Sequence, residues 1–153
     1  MFKQIPCVLA LAVAAHIPLA AHAAQQKNLD VLGTWTLTRV LDSAEITAMD
    51  DQEAARLVGR TLVIRPDKIV MVGEDCDQAD FERHREPAAK YVRENYHAPV
   101  GRLGLPDSVT VVNLGCTEAL LKGSGRIVVF WDGFFYDATR QPGAGKNGAH
   151  PVK

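Results

Sequence analysis

Residues 126–140 carry the clearest hydrophobic pattern in the chain: two runs of β-branched and aromatic residues on either side of Asp132-Gly133. That dipeptide tolerates positive φ at both central positions of a type I′ turn, so the stretch predicts a tight hairpin. Pairing Trp131 with Phe134 puts Ile127, Val129, Trp131, Phe134, Tyr136 and Ala138 on one uncharged face. Val128, Phe130, Phe135, Asp137 and Thr139 fall on the other, because side chains alternate along a strand. A lone hairpin is unstable in water, so the uncharged face must close a larger sheet or barrel. A helix expected over 87–96 is the natural cover for Phe130 and Phe135.

The rest of the chain supplies that sheet. Positions 33–41 alternate, with Trp35, Leu37 and Arg39 on one side and Thr36, Thr38 and Val40 on the other. Over 42–58 the period becomes helical, with Ile46, Met49, Ala54 and Leu57 on one face. Asp42 with Glu45 and Asp50 with Glu53 each have the spacing of a capping box, so helix begins at one or both, and Gly59 ends it. Segments 60–65 and 68–72 form a second hairpin around Pro66-Asp67, followed by an acidic turn at 73–78 and a polar strand at 80–85. Pro87 suits a first helical position, and Ala88, Tyr91, Val92, Asn95 and Tyr96 line one side of the helix it opens. After a loop at 101–106, strands at 109–114 and 118–122 lead through Gly123-Ser124-Gly125 into the hairpin. The expected fold is mainly β: about eight antiparallel, mostly up-and-down strands closing as a barrel, with two short inserted helices. One domain covers 24–140, and the tail at 141–153, almost free of apolar residues, is expected to be disordered.

Residues 1–23 stand apart. Lys3, an apolar run over 8–19 and Ala21-His22-Ala23 have the layout of a cleaved signal peptide, which carries Cys7 away with it. The apolar run is shorter than the ~20 residues a bilayer needs, so no membrane span is expected after cleavage. Export makes the location periplasmic or secreted. In an oxidising compartment the two cysteines left, Cys76 and Cys116, are expected to pair, since neither has a CxxC or Cys-His neighbour suited to a metal or a nucleophile. A formal net charge of -1 with interspersed signs gives neither a nucleic-acid footprint nor a polybasic membrane patch.

Gly33-Thr34-Trp35, at the start of the first strand, resembles the Gly-x-Trp signature of lipocalins and related barrels. Arg140, just beyond the last strand, stands where those proteins pack an arginine over that tryptophan. The resemblance implies an eight-stranded barrel closed at one end by Trp35 and Arg140, with a ligand mouth at the other. This chain departs from the family in lacking its Thr-Asp-Tyr segment and the helix after the last strand. Stacking of guanidinium on indole contributes roughly 0.5 to 2 kcal/mol.

Chemistry-bearing residues are sparse. Glu74, Asp75 and Asp77 lack the further ligands and glycine placement of a calcium loop. His84 and His97 sit in no Ser/His/Asp or His/Glu arrangement, and Gly123-Ser124-Gly125 has no following helix and lysine to hold a phosphate. No catalytic residue, metal or cofactor is therefore expected. Trp131, Phe134 and Tyr136 either line a ligand cavity or fill the barrel. The expected function is an exported, non-catalytic binding protein for a small apolar ligand. The alternative is a periplasmic protein-binding module, such as a cell-wall hydrolase inhibitor or an immunity protein, that meets its partner through loops at 73–80 and 101–108.

Overall fold

A computed structural model describes Asn28 and residues 30–76, 81–123 and 125–143. The expected leader at 1–23, Asp77 and Gln78 of the acidic turn, Ser124 and the tail beyond 143 lie outside the described residues. The fold is mainly β: strands β1 (Gly33–Ser43), β2 (Thr61–Ile64), β3 (Ile69–Met71), β4 (Glu74–Asp75), β5 (Arg83–Pro87), β6 (Ser108–Asn113), β7 (Glu118–Gly123), β8 (Arg126–Trp131) and β9 (Phe134–Arg140). Helix α1 (Asp51–Arg56) follows β1, and α2 (Ala88–Tyr96) follows β5.

All nine strands form one antiparallel sheet in the order β4-β3-β2-β1-β9-β8-β7-β6-β5. The count is nine, not about eight, because Glu74 and Asp75, expected in a turn, pair with Met71 and Val70. Two charged, exposed side chains carry no strand pattern; backbone pairing to β3 makes the strand. The ladder is open between β4 and β5 among the described residues, so the sheet is not a hydrogen-bonded closed barrel.

The hairpin forms as its sequence dictates. Trp131 pairs with Phe134, and Asp132 (φ 49°) and Gly133 (φ 93°) supply the turn. Its uncharged face joins Trp35, Leu37, Leu62, Ile64, Met71 and Val112 in one interior core, which spans both halves of the curled sheet. Its other face lies under α2, where Val128 and Phe135 pack with Val92, Leu103 and Leu120 in a second core. Burying each such large side chain is worth roughly 1.5–3 kcal/mol.

Two departures on β1 have one cause. Register shifts between Leu37 and Arg39, and again between Val40 and Asp42, insert extra residues against β9. Each shift resets the alternation, so Val40 packs on the interior core while Arg39 is exposed. The strand also runs through Asp42 and Ser43, which pair with Phe135 and Phe134, so the first capping-box spacing opens no helix. The second one does: Asp50 accepts from the Glu53 amide at 2.8 Å and Glu53 accepts from the Asp50 amide at 3.0 Å.

Both ends of the interior are covered. At one end, Val31 is completely buried and its carbonyl accepts from Trp35 Nε1 at 2.8 Å. Arg140 holds this segment by donating to the carbonyls of Asp30 and Leu32. Arg83 reaches from β5 to grip both carboxylate oxygens of Asp30 at 2.7 Å. At the other end α1 lies over the sheet, with Ala54 fully buried and its carbonyl accepting from the Tyr136 hydroxyl at 3.3 Å.

Candidate functional site

The sequence-selected residues separate into three places. Gly33, Trp35 and Arg140 meet at the Val31 end, where the Arg140 guanidinium lies 4.3 Å from the Trp35 ring centroid. A Cβ on Gly33 would sit 3.0 Å from Arg140 Nη1, and its φ of +133° is one that side chains disfavour, so glycine clears the way for that stack. Cys76 and Cys116 form a disulfide with Cα atoms 5.1 Å apart, tying the segment after β4 to the β6–β7 turn. Such a bridge is compatible with an extracellular location.

Of the three aromatic candidates on the hairpin, Phe134 and Tyr136 are core residues, 3 % and 0 % exposed. Trp131 alone of the three faces a cleft, a space of about 530 Å³ shared with Ile46, Cys116 and Phe130. A second cleft of about 460 Å³ lies between α2 and β7, lined by Tyr91, Tyr96, Glu118 and again Cys116 and Phe130. A third, of about 210 Å³, adds Glu45 and His97. All three share Phe130, so they adjoin one another around that ring, and together they are termed the groove.

The groove is built on packed rings and backbone hydrogen bonds. Its floor is an aromatic stack: the Phe130 ring lies 4.5 Å from Tyr96 and 4.8 Å from Phe135, with Tyr96 also 5.2 Å from Phe135. Its rim is the 44–48 segment, clamped on the hairpin tip by the Ala44 amide to Gly133 O (2.8 Å) and the Ala48 amide to Asp132 O (3.0 Å). A Cβ on Gly133 would stand 2.5 Å from Thr47 Cα, which is why only glycine lets this segment close on the turn. The clamp holds Ile46 out in water at 85 % exposure.

Glu118 is the polar centre. The hydroxyls of Tyr91 (2.6 Å) and Tyr96 both donate to its Oε2, and no donor among the described residues reaches Oε1. Burial, then the Glu118 carboxylate, push both phenols well above their ordinary value of 10.0. Tyr136, in the core, is pushed up to about 12 by burial and then by Asp132. These are the only tyrosines in the chain. A phenol whose pKa is raised on folding keeps its proton while the unfolded chain loses it, so stability is intact below pH 10 and falls as pH rises beyond. Spectrophotometric titration of the native protein should show no tyrosinate step near pH 10, and denaturant should restore one. A native step at that pH would mean that at least one of the three hydroxyls is not held as described.

His84 is exposed on β5 and His97 closes α2 in the left-handed region (φ 52°). Among the described residues no group of three His, Cys, Asp or Glu side chains could hold a metal ion, and no helix is long and apolar enough to cross a membrane. The expected contact loops at 73–80 and 101–108 do not line this groove among the described residues.

The chain matches no protein-family model, no curated protein and no solved structure. Glu118, Tyr96 and Ile46 are among the groove residues that the sequence does not mark as part of a site. The helical period over 42–58 puts Ile46 on a helix face, Tyr96 reads as part of the α2 face, and Glu118 reads as the unremarkable start of a strand.

Proposed function

We propose that this is an exported, non-catalytic binding protein of lipocalin-like build that engages a protein partner through the groove around Phe130. Support for the build comes from the Trp35–Arg140 stack and from a strand order that, read cyclically, is an uninterrupted meander whose seam falls between β4 and β5. The Cys76–Cys116 bridge spans that seam, from the segment after β4 to the β6–β7 turn, and we read it as the fastening of a barrel.

The observation that carries the functional reading is the placement of Tyr136. It is fully buried and bonded to α1, at the end of the interior where a carrier needs its mouth. The two roomier clefts, about 530 and 460 Å³, belong to the groove, which mixes aromatic floor, exposed Ile46 and polar groups as a protein-binding surface does. A small apolar molecule is the second candidate occupant, favoured by the Ile46 and Trp131 cleft.

A photoreactive residue at Ile46 should cross-link to a discrete protein in the cell envelope, while one at Asp67, in the β2–β3 turn near the Trp35 end, should not. Absence of a product at Ile46, together with quenching of tryptophan fluorescence by apolar probes, would instead favour the small molecule.

A further inference from the structure

We propose that the groove recognises a basic side chain, arginine above all, presented by the partner; this rests on the groove being the binding site. The lining residues include three carboxylates, Glu45, Glu118 and Asp132, and no lysine or arginine among the described residues. His97 is the one lining group able to become positive, and it sits in the smallest of the three clefts. The chain as a whole is close to charge balance at -1, so this one-sided lining is local.

Charge is only half of the match. Each carboxylate lines a cleft together with Phe130 and with Tyr96 or Trp131, and a cation over an aromatic face is drawn to its electron-rich π cloud. Guanidinium is planar, weakly hydrated and able to stack while its N–H groups donate in the ring plane, which an ammonium does not do. Glu118 is prepared for such a donor. Two tyrosine hydroxyls fix its carboxylate through Oε2, leaving Oε1 to accept a charge-assisted hydrogen bond. An apolar or acidic occupant would leave that oxygen without a donor and place its own surface against three negative charges.

The test uses a hexa-arginine peptide and its hexa-citrulline isostere, in which a neutral planar urea replaces the planar guanidinium, with the intact protein followed by tryptophan fluorescence and calorimetry. Hexa-arginine should bind and citrulline should bind at least about tenfold more weakly. Glu118→Gln should weaken hexa-arginine about tenfold, and Asp132→Asn, a substitution the type I′ turn favours, should also weaken it. Asp67→Asn removes the same charge from a distant turn and should change nothing. The side-chain amide introduced by Glu118→Gln keeps an oxygen that accepts from both tyrosines, and circular dichroism confirms that each variant is folded. Equal binding of the two peptides, or an equal effect of Asp67→Asn and Glu118→Gln, overturns the proposal. Cross-linking from Ile46 that persists unchanged in Glu118→Gln would sink the basic-residue preference and leave the groove as the binding site, whereas no cross-link at all removes the reading of the groove as a protein-binding site.

Discussion

Reducing the Cys76–Cys116 bridge should lower the stability of this protein by about 4 kcal/mol, the loop-closure entropy expected for a separation of 40 residues. Domains of this size are stable by only about 5–15 kcal/mol in total, so the loss is a large fraction. Two features of the fold concentrate the effect. The β3–β4 ladder has only two residue pairs, and after it the Cys76 amide donates to Ile69 O at 2.9 Å, so the bridge is the covalent hold on the outermost strand. It also fastens that edge to the β6–β7 turn, holding together the two halves of the sheet that share the interior core. Urea unfolding with and without reductant should show a lower midpoint for the reduced chain, and Cys76→Ser/Cys116→Ser should match it without reductant. Because Cys116 lines both larger clefts, partner binding should weaken in the same samples. Coincident midpoints for oxidised and reduced protein would show that packing alone holds the edge.

How much of this was legible in the sequence follows from how far each determinant reaches along the chain. The hairpin over 126–140, its register and the two faces it buries are written locally, in Asp132-Gly133 and a strict alternation. The Asp50–Glu53 capping box is local too and forms as expected. Ala88, Tyr91 and Val92 of the α2 face are buried, but Pro87 ends β5 as the N-cap instead of opening the helix, and Asn95 is exposed. Arg39 is misplaced on paper because a bulge is a property of two strands: β9 accommodates an extra residue of β1, and nothing in 33–41 announces it. Asp42 with Glu45 has the letters of a helix start, but pairing with Phe135 retains Asp42 in the strand. The groove is the least legible part. Tyr91 and Tyr96 converge on Glu118 from 27 and 22 residues away, and Ile46 reaches the hairpin tip by backbone bonds to Asp132 and Gly133. Such contacts depend on tertiary placement, and a single sequence holds no period or spacing that reveals them.

Asp137→Ala should be the most damaging single substitution outside the apolar cores, lowering stability by about 3–5 kcal/mol. Asp137 shares the α2-facing side of β9 with Phe135 and is only 4 % exposed. Lys122 of β7 donates to its Oδ1 at 3.2 Å, and Arg126 of β8 donates to Oδ2. The Lys122 side chain is itself 8 % exposed, with its ammonium close against Gly104, whereas the Arg126 side chain is 46 % exposed. Removing the carboxylate therefore leaves Arg126 able to turn into water and Lys122 unable to. An ammonium held in a poorly solvated site without its counter-ion is the source of the loss. The same logic makes Asp137→Ala/Lys122→Met less harmful than Asp137→Ala, since an apolar chain of similar length replaces the stranded charge. Urea midpoints at constant m-value measure both, and the double variant should recover a large part of the deficit. If Asp137→Ala cost less than about 1 kcal/mol, or if replacing Lys122 gave no recovery, the ion pair would be behaving as an exposed surface contact rather than a buried one.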